Sequence, residues 1–331
     1  MAETGSTITG YDSLRSGAML LDRSDRGRWR FTGPKAAETL TGLVTNDVLA
    51  LRQGDGLYCA ALTPKGKIVA DLRILLESEE EFFVDTGAAS APGWRAMARK
   101  FINPRVAPFS ETTDRTADVG VFGAGAAELL ARAVGDGGCA LEQLRPYSHV
   151  HATLKNGVEV LVVRAADLGE VPAFDVISPK DSSDQLRELL TSLGVVSGTR
   201  NAYDVARIEA GVPEWGVDMN EDTLPQEANF DELGAISYSK GCYVGQEVVA
   251  RIHFRGHVNK NLRRVAFGAE QVPARGAELV DAAGKTVGDV RSAAVSPRAG
   301  GVGIAMVRRE IAVGAQVTAR GSAGSAQVTV L

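Results

Sequence analysis

Apolar residues fall in short runs along the first third of the chain, bounded by turn formers. Tyr58-Cys59-Ala60-Ala61-Leu62 is followed by the turn Thr63-Pro64-Lys65-Gly66-Lys67. Ile68-Val69-Ala70-Asp71-Leu72-Arg73-Ile74-Leu75 comes next, and Phe82-Phe83-Val84-Asp85 after it. Runs of this length predict strands. Helical patterning appears at 34–40, opened by Gly33-Pro34 and closed by Gly42, and again at 91–100. Val106-Ala107-Pro108-Phe109 reads as a returning strand, and the polar stretch 110–115 as a linker.

A strand at Asp118-Val119-Gly120-Val121-Phe122, a Gly123-Ala124-Gly125 turn and an Ala/Leu-rich helix reaching Val134 then form one β-turn-α unit. Its glycines resemble a dinucleotide loop only superficially, because the third glycine and a later acid at the right distance are missing. Val158-Glu159-Val160-Leu161-Val162-Val163 is a further strand. Helices follow at 181–193, stopped by Gly194, and at 199–210, where Ala202, Val205, Ala206 and Ile208 share a face. From residue 262 onward, short Val/Ala/Ile strands alternate with Gly-containing turns, the pattern of a small β-barrel. The mixture predicts an α+β chain.

With 331 residues the chain exceeds one hydrophobic core, so two or three domains are expected. A hydrophobic content of 44% and a charged content of 23% exclude global disorder. The net charge of -5 argues against a general nucleic-acid binder, and no direct nucleic-acid binding is expected. Cys59, Cys139 and Cys242 are far apart and contain no C-x-x-C pair, so a disulfide framework is not expected. No secretory leader and no apolar run of membrane-spanning length stands out, which gives the expectation of a cytoplasmic protein with no membrane partner. His149 and His151 alternate on a strand and could share a face, but two histidines without a third ligand do not make a metal site.

One stretch concentrates chemistry: Lys240-Gly241-Cys242-Tyr243-Val244-Gly245-Gln246-Glu247, followed by Val248-Val249-Ala250-Arg251. The flanking glycines allow positive φ or a close approach, and Lys240 is placed to activate the thiol. Asp71 interrupts an apolar strand, so it lies either on a solvent face or at a pocket. Arg251, His253, Arg255, His257, Lys260, Arg263 and Arg264 form a basic run with no acid among them.

The octet resembles the K-G-C-Y-x-G-Q-E signature of the YgfZ-type folate-binding proteins, relatives of the aminomethyltransferase (T protein) of the glycine cleavage system. The segment 58–75 is similar to the T-protein tyrosine and aspartate-pair pattern. Tyr58 matches the tyrosine, while Ala70 replaces one of the two acids and leaves Asp71 alone. The stretch 86–90 replaces an asparagine-containing segment, and Asp175 stands near the position of a pterin-holding glutamate after a one-residue insertion. Arg207-Ile208-Glu209-Ala210-Gly211, Gly216-Val217-Asp218 and Pro225-Gln226-Glu227-Ala228 resemble the R-x-E-A-G, G-x-D and P-x-E-A blocks of the family.

The resemblance implies a three-part T-protein-like architecture with a C-terminal barrel. Its parts would be 1–113 with 200–255 as the folate-binding region, 114–199 as an inserted α+β subdomain, and 256–331 as the barrel. It implies tetrahydrofolate or a derivative as cofactor, with Tyr58, Asp71, Asp175, Glu209, Lys240, Gln246, Glu247, Arg251 and Arg255 as binding candidates and Cys242 and Asp71 as reactive ones. Chemically, a carboxylate suits the pterin edge, Tyr58 can stack, and an arginine fork suits the anionic tail.

Cys242 is open to three roles: nucleophile, redox group, or shared metal ligand. One thiolate alone cannot hold an iron-sulfur cluster. The implied function is an accessory one, supporting iron-sulfur cluster assembly or repair and iron-sulfur tRNA-modifying enzymes, with iron-sulfur enzymes or assembly proteins as partners. The alternative is a folate-dependent aminomethyl or methyl transferase, and a third reading is a redox or scaffold protein with a vestigial pocket.

Overall fold

The computed structural model describes residues 8–135, 141–321 and 324–331. Cys139 lies outside the described residues. Two compact units emerge, one from Met1–Asp25 with Thr112–Ala206 and one from Arg26–Glu111 with Arg207–Leu331.

The first unit is built on a six-stranded sheet. Its order is Val196–Ser197, Met19–Asp22, Thr116–Phe122, Ala173–Pro179, Glu159–Arg164 and His149–Thr153. Only the first pairing is parallel. Helices Ala126–Ala133 and Ser183–Ser192 bury Ala126, Leu130, Ala133, Leu186 and Leu190 against its Val119, Val121, Val162 and Val176. Their i, i+4 spacing forms the apolar stripe of a surface helix. Gly123 serves packing: with φ +143°, a Cβ there would sit 2.3 Å from the Gly17 carbonyl oxygen. His149 is buried and His151 exposed, so the two histidines do not present a matched pair.

The second unit carries an antiparallel five-stranded sheet in the order Gly56–Leu62, Ile68–Ser78, Glu81–Thr86, Gly27–Thr32 and Phe109–Glu111. The edge strand takes in Ser110 and Glu111, the start of the stretch expected as a linker, and the chain passes from one unit to the other within that stretch, between Glu111 and Thr112. Trp29 pairs with Glu111, whose carboxylate takes two bonds from Arg95 at 2.8 and 2.6 Å. An edge strand tolerates polar residues because one side stays open.

Strand alternation sends Cys59, Ala61, Ala70, Leu72 and Ile74 to one face, under helices Ala36–Leu43 and Ala91–Phe101. Tyr58, Ala60 and Leu62 point the other way, onto Met219, Phe230, Tyr243 and the barrel residues Leu262, Ile304 and Met306. The barrel is closed, running Lys260–Phe267, Gly300–Arg308, Thr286–Ser296, Glu278–Val280, Gln316–Gly321 and Gly324–Val330. Closure removes the free edges that short strands would otherwise expose. Among the described residues no helix is long and apolar enough to cross a membrane.

Candidate functional site

The signature octet folds as an irregular loop that ends in the helix Gln246–Arg255. Its two glycines do different work. Gly245 has φ +84°, and a Cβ on it would lie 2.6 Å from the Thr63 carbonyl oxygen and 3.2 Å from Gly66 Cα. Gly66, also left-handed at φ +73°, meets Val248 in the same way. The 63–67 turn and the start of the helix therefore dock backbone to backbone, an approach that only glycine permits. Gly241 has nothing within 4 Å of its would-be Cβ.

Lys240 anchors the loop from the other side. Its Nζ donates to the Thr41 carbonyl and lies 4.5 Å from the centre of the Tyr243 ring. Burial disfavours the ammonium, against the pull of Cys59, Asp47 and Cys242, and brings its pKa down to about 8. Gln246 turns its side chain back, so that Oε1 accepts from the Tyr243 N–H at 3.1 Å. These bonds leave Cys242 exposed at the surface, whereas Cys59 is fully buried with its thiol pushed strongly upward by desolvation.

Asp71 belongs to the sheet face opposite Cys59. Ala60 is its cross-strand partner, and the Tyr58 hydroxyl donates to its Oδ2 at 2.9 Å. The Ser90 hydroxyl donates to Oδ1 at 3.3 Å, while Thr86 Oγ1 holds the Asp71 carbonyl and the Ser90 hydroxyl together. Desolvation raises the Asp71 pKa, opposed by the Arg26 charge and by the Tyr58 and Ser90 bonds. On the next strand Asp85 is buried, and Arg26 and Arg73 override desolvation and hold it far below the carboxylate range. The face thus carries one acid held far below the carboxylate range by two arginines and one whose pKa burial raises. Tyr58 completes it, its ring tilted against Phe230 at 5.3 Å.

The other sequence candidates fall at distinct places. Asp175 lies in the first unit, wholly buried and bonded to Arg23 at 2.8 Å. Glu209 receives the Ser296 hydroxyl on its carboxylate and Arg264 on its carbonyl, the latter at 3.2 Å. Glu247, Arg251 and Arg255 are exposed on the signature helix, and the two arginines make no hydrogen bond or ion pair among the described residues. His253, a member of the basic run, stacks on Tyr238 with ring centres 3.6 Å apart.

In the R-x-E-A-G and G-x-D blocks, Arg207 donates to Asp218 at 2.7 Å, and Asp218 also takes the Glu214 N–H at 2.9 Å. That buried pair fixes the 211–219 connection. Sequence reading missed Thr86 and Ser90, whose hydroxyls in an otherwise apolar setting were the available signal, and it also missed Trp215. Among the described residues no three His, Cys, Asp or Glu side chains are grouped to hold a metal ion. A cavity of about 350 Å³ lies at the barrel junction, lined by Gly211, Asn229, Arg263 and Arg264, and includes none of the Asp71 cluster.

Residues 5–236 match the GCVT N-terminal domain, and residues 259–331 match the CAF17 C-terminal beta-barrel domain. The tRNA-modifying protein YgfZ of Pectobacterium carotovorum is 30% identical over 264 residues, 78% of this chain and 74% of that protein. The aminomethyltransferase of Halothermothrix orenii is 27% identical over 308 residues, covering 92% of this chain and 84% of that one. The crystal structure of glycine cleavage system aminomethyltransferase T from Bartonella henselae shares the fold. Its TM-score is 0.85 at 22% identity, over 97% of this chain and 87% of that chain. Both domains in this order, with a YgfZ relative at that identity, mean that the chain belongs to the YgfZ-type family, which is related to the aminomethyltransferases.

Proposed function

We propose that the protein binds tetrahydrofolate or a derivative and acts as an accessory factor, supporting iron-sulfur cluster assembly or repair and iron-sulfur tRNA-modifying enzymes. The observation that carries this reading is the division of labour around the signature loop. Lys240, Gln246 and Gly245 are spent on holding the loop, which leaves Cys242 exposed and available to another molecule.

In this reading the reduced folate would lie beside Tyr58 and Asp71, where Tyr58 packs against the apolar cluster that also holds Tyr243 of the loop. Asp71 has a raised pKa and two hydroxyl donors, and beside it lie the Tyr58 and Phe230 rings. A carboxylate among rings is the chemistry that reads the amide edge of a flat heterocycle. Arg251 and Arg255, exposed and without an ion pair among the described residues, are the candidates for the anionic tail. A single thiolate cannot hold a cluster, so the remaining ligands would come from a client protein, glutathione or a second copy. The Asp71 carboxylate keeps the aminomethyltransferase alternative open, but Ala70 removes the second acid of that pattern.

Calorimetric titration with tetrahydrofolate tests the reading. Asp71→Asn should weaken binding by about ten-fold, the cost of a lost charge-assisted bond. Cys242→Ala should leave that affinity within about two-fold and abolish support of iron-sulfur enzymes in cells. No heat with the wild type would remove folate from the account, and full cellular function of Cys242→Ala would remove the accessory role. Turnover of an aminomethyl donor by the isolated protein would favour the transferase.

A further inference from the structure

Trp215 stands on a turn held rigidly from several sides. The Gly216 N–H donates to the Met219 carbonyl at 2.7 Å, and Arg275 donates to the Gly216 and Val217 carbonyls at 2.7 and 2.8 Å. The Arg207–Asp218 pair closes the base of the turn. At Gly216 a Cβ would come within 3.0 Å of Ala89 Cβ, so the turn presses on the segment whose next residue, Ser90, bonds Asp71. The indole itself packs into the cluster that contains Tyr58 and Phe230.

Its Nε1–H is buried and has no acceptor among the described residues. Trp94 also has a buried, unmatched Nε1–H, but that residue is 0% exposed beneath the sheet's helix-covered face, beyond the reach of a ligand. Trp215 is only half-buried and packs against the same apolar cluster as Tyr58, whose hydroxyl bonds Asp71. A buried donor left unsatisfied carries a desolvation cost that an arriving acceptor relieves.

We propose that Trp215 Nε1 donates to the ring carbonyl of the ligand held at Tyr58 and Asp71, and so selects a 4-oxo pterin over a 4-amino one. This rests on the folate reading above and deepens it. Asp71 accepts from the amide edge of the ring, and the carbonyl beside that edge offers the acceptor the indole lacks. In a 4-amino analogue the same position carries a donor, which would face the indole N–H and leave both groups unsatisfied.

The test is calorimetry of the full chain with tetrahydrofolate and with its 4-amino analogue, for the wild type and for Trp215→Phe. The wild type should prefer the 4-oxo ligand by about ten-fold or more, and Trp215→Phe should lose about ten-fold for tetrahydrofolate with little change for the analogue. A wild type that binds neither ligand overturns the folate reading and this assignment together. A wild type that binds tetrahydrofolate, with an unchanged preference in Trp215→Phe, overturns the assignment alone.

A second measurement does not depend on the variant folding. The three tryptophans give three indole N–H signals in a ¹⁵N spectrum of the wild type. Tetrahydrofolate should move one of them downfield and the 4-amino analogue should not. Three unmoved signals in a protein saturated with tetrahydrofolate would also overturn the assignment.

Discussion

The two faces of the five-stranded sheet in the second unit are built from alternate residues of the same strands, yet they are closed in different ways. Helices seal one face over a cluster of apolar side chains that includes Cys59 and the Trp94 ring. Loops close much of the other face, beside the barrel residues Leu262, Ile304 and Met306: the signature loop, the 211–219 connection and the 228–235 stretch. Beneath and beside those loops lie Asp71, Arg73, Asp85 and Tyr58. A helix satisfies its own backbone and so adds little polarity to the face it covers. A loop brings carbonyls, N–H groups and glycines, and with them partners for buried charge. The difference teaches that chemistry in this fold sits where irregular backbone covers the sheet.

The most extreme contrast expected between the faces is in thiol reactivity. In the folded protein Cys242 should react with a thiol reagent at the rate of an exposed cysteine, and Cys59 should react only after unfolding. Peptide mapping of the labelled protein with and without denaturant reads this directly. Equal labelling of both in the native state would show that the helix-covered face is not sealed.

Stability should divide the faces next. Asp218 is 0% exposed, and its charge is met by Arg207, the Glu214 N–H and the Ser292 hydroxyl. Asp218→Ala leaves Arg207 as a buried charge short of its main partner, so urea unfolding should show a loss of about 3–5 kcal/mol. Leu72→Ala, under the helices, should cost about 2–5 kcal/mol by leaving a cavity. Replacing Arg207 and Asp218 together by apolar residues of similar volume should recover much of the first loss and none of the second. Failure to recover would mean that the 211–219 connection needs the pair itself and not merely neutrality.

Much of the fold was legible in the sequence because it is written in periodicity. Tyr58–Leu62, the Asp71 strand, the helix after Ala91 and the barrel strands all follow from run length and turn formers, and the structure has them within a few residues. The strand at Phe109–Glu111 was expected to end at Phe109, because an edge strand can be polar and composition alone does not distinguish the polar end of an edge strand from a linker.

The site was legible only in part. Asp71 stood out as an acid in an apolar run, and the octet by its residue types. Thr86 and Ser90 act through hydroxyls that reach Asp71 from 15 and 19 positions away. Trp215 stands on a turn whose Gly216 closes on Ala89, more than a hundred residues distant. Such placements depend on tertiary approach, which no local pattern encodes. The Gly241 and Gly245 pair looked equivalent for the same reason.

Substitution at those two glycines should separate them by a smaller margin. Gly245→Ala puts a Cβ against the Thr63 carbonyl in a left-handed conformation and should cost about 1–3 kcal/mol. Gly241→Ala meets open space and should stay within about 0.5 kcal/mol of wild type. Equal losses at both positions would mean that the 63–67 turn does not dock on Gly245.

The smallest effect should come from Lys240, and its sign follows from linkage. Burial lowers its pKa from an ordinary 10.5 to about 8. Between those values the unfolded chain holds a proton that the folded chain has released. The unfolded state therefore binds more protons there, and stability gains from this group as pH rises from about 8 to 10.5. Below about 8 both states are protonated, and the cost of burying the ammonium is fully in force. Lys240 is partly exposed, so solvent screening reduces the size of the effect but not its direction. Lys240→Met removes the group, so the wild-type stability measured relative to it should climb across that window. Thermal unfolding of both proteins at several pH values between 7 and 10.5 decides the point: parallel curves would mean that Lys240 stays hydrated and does not anchor the signature loop against Thr41.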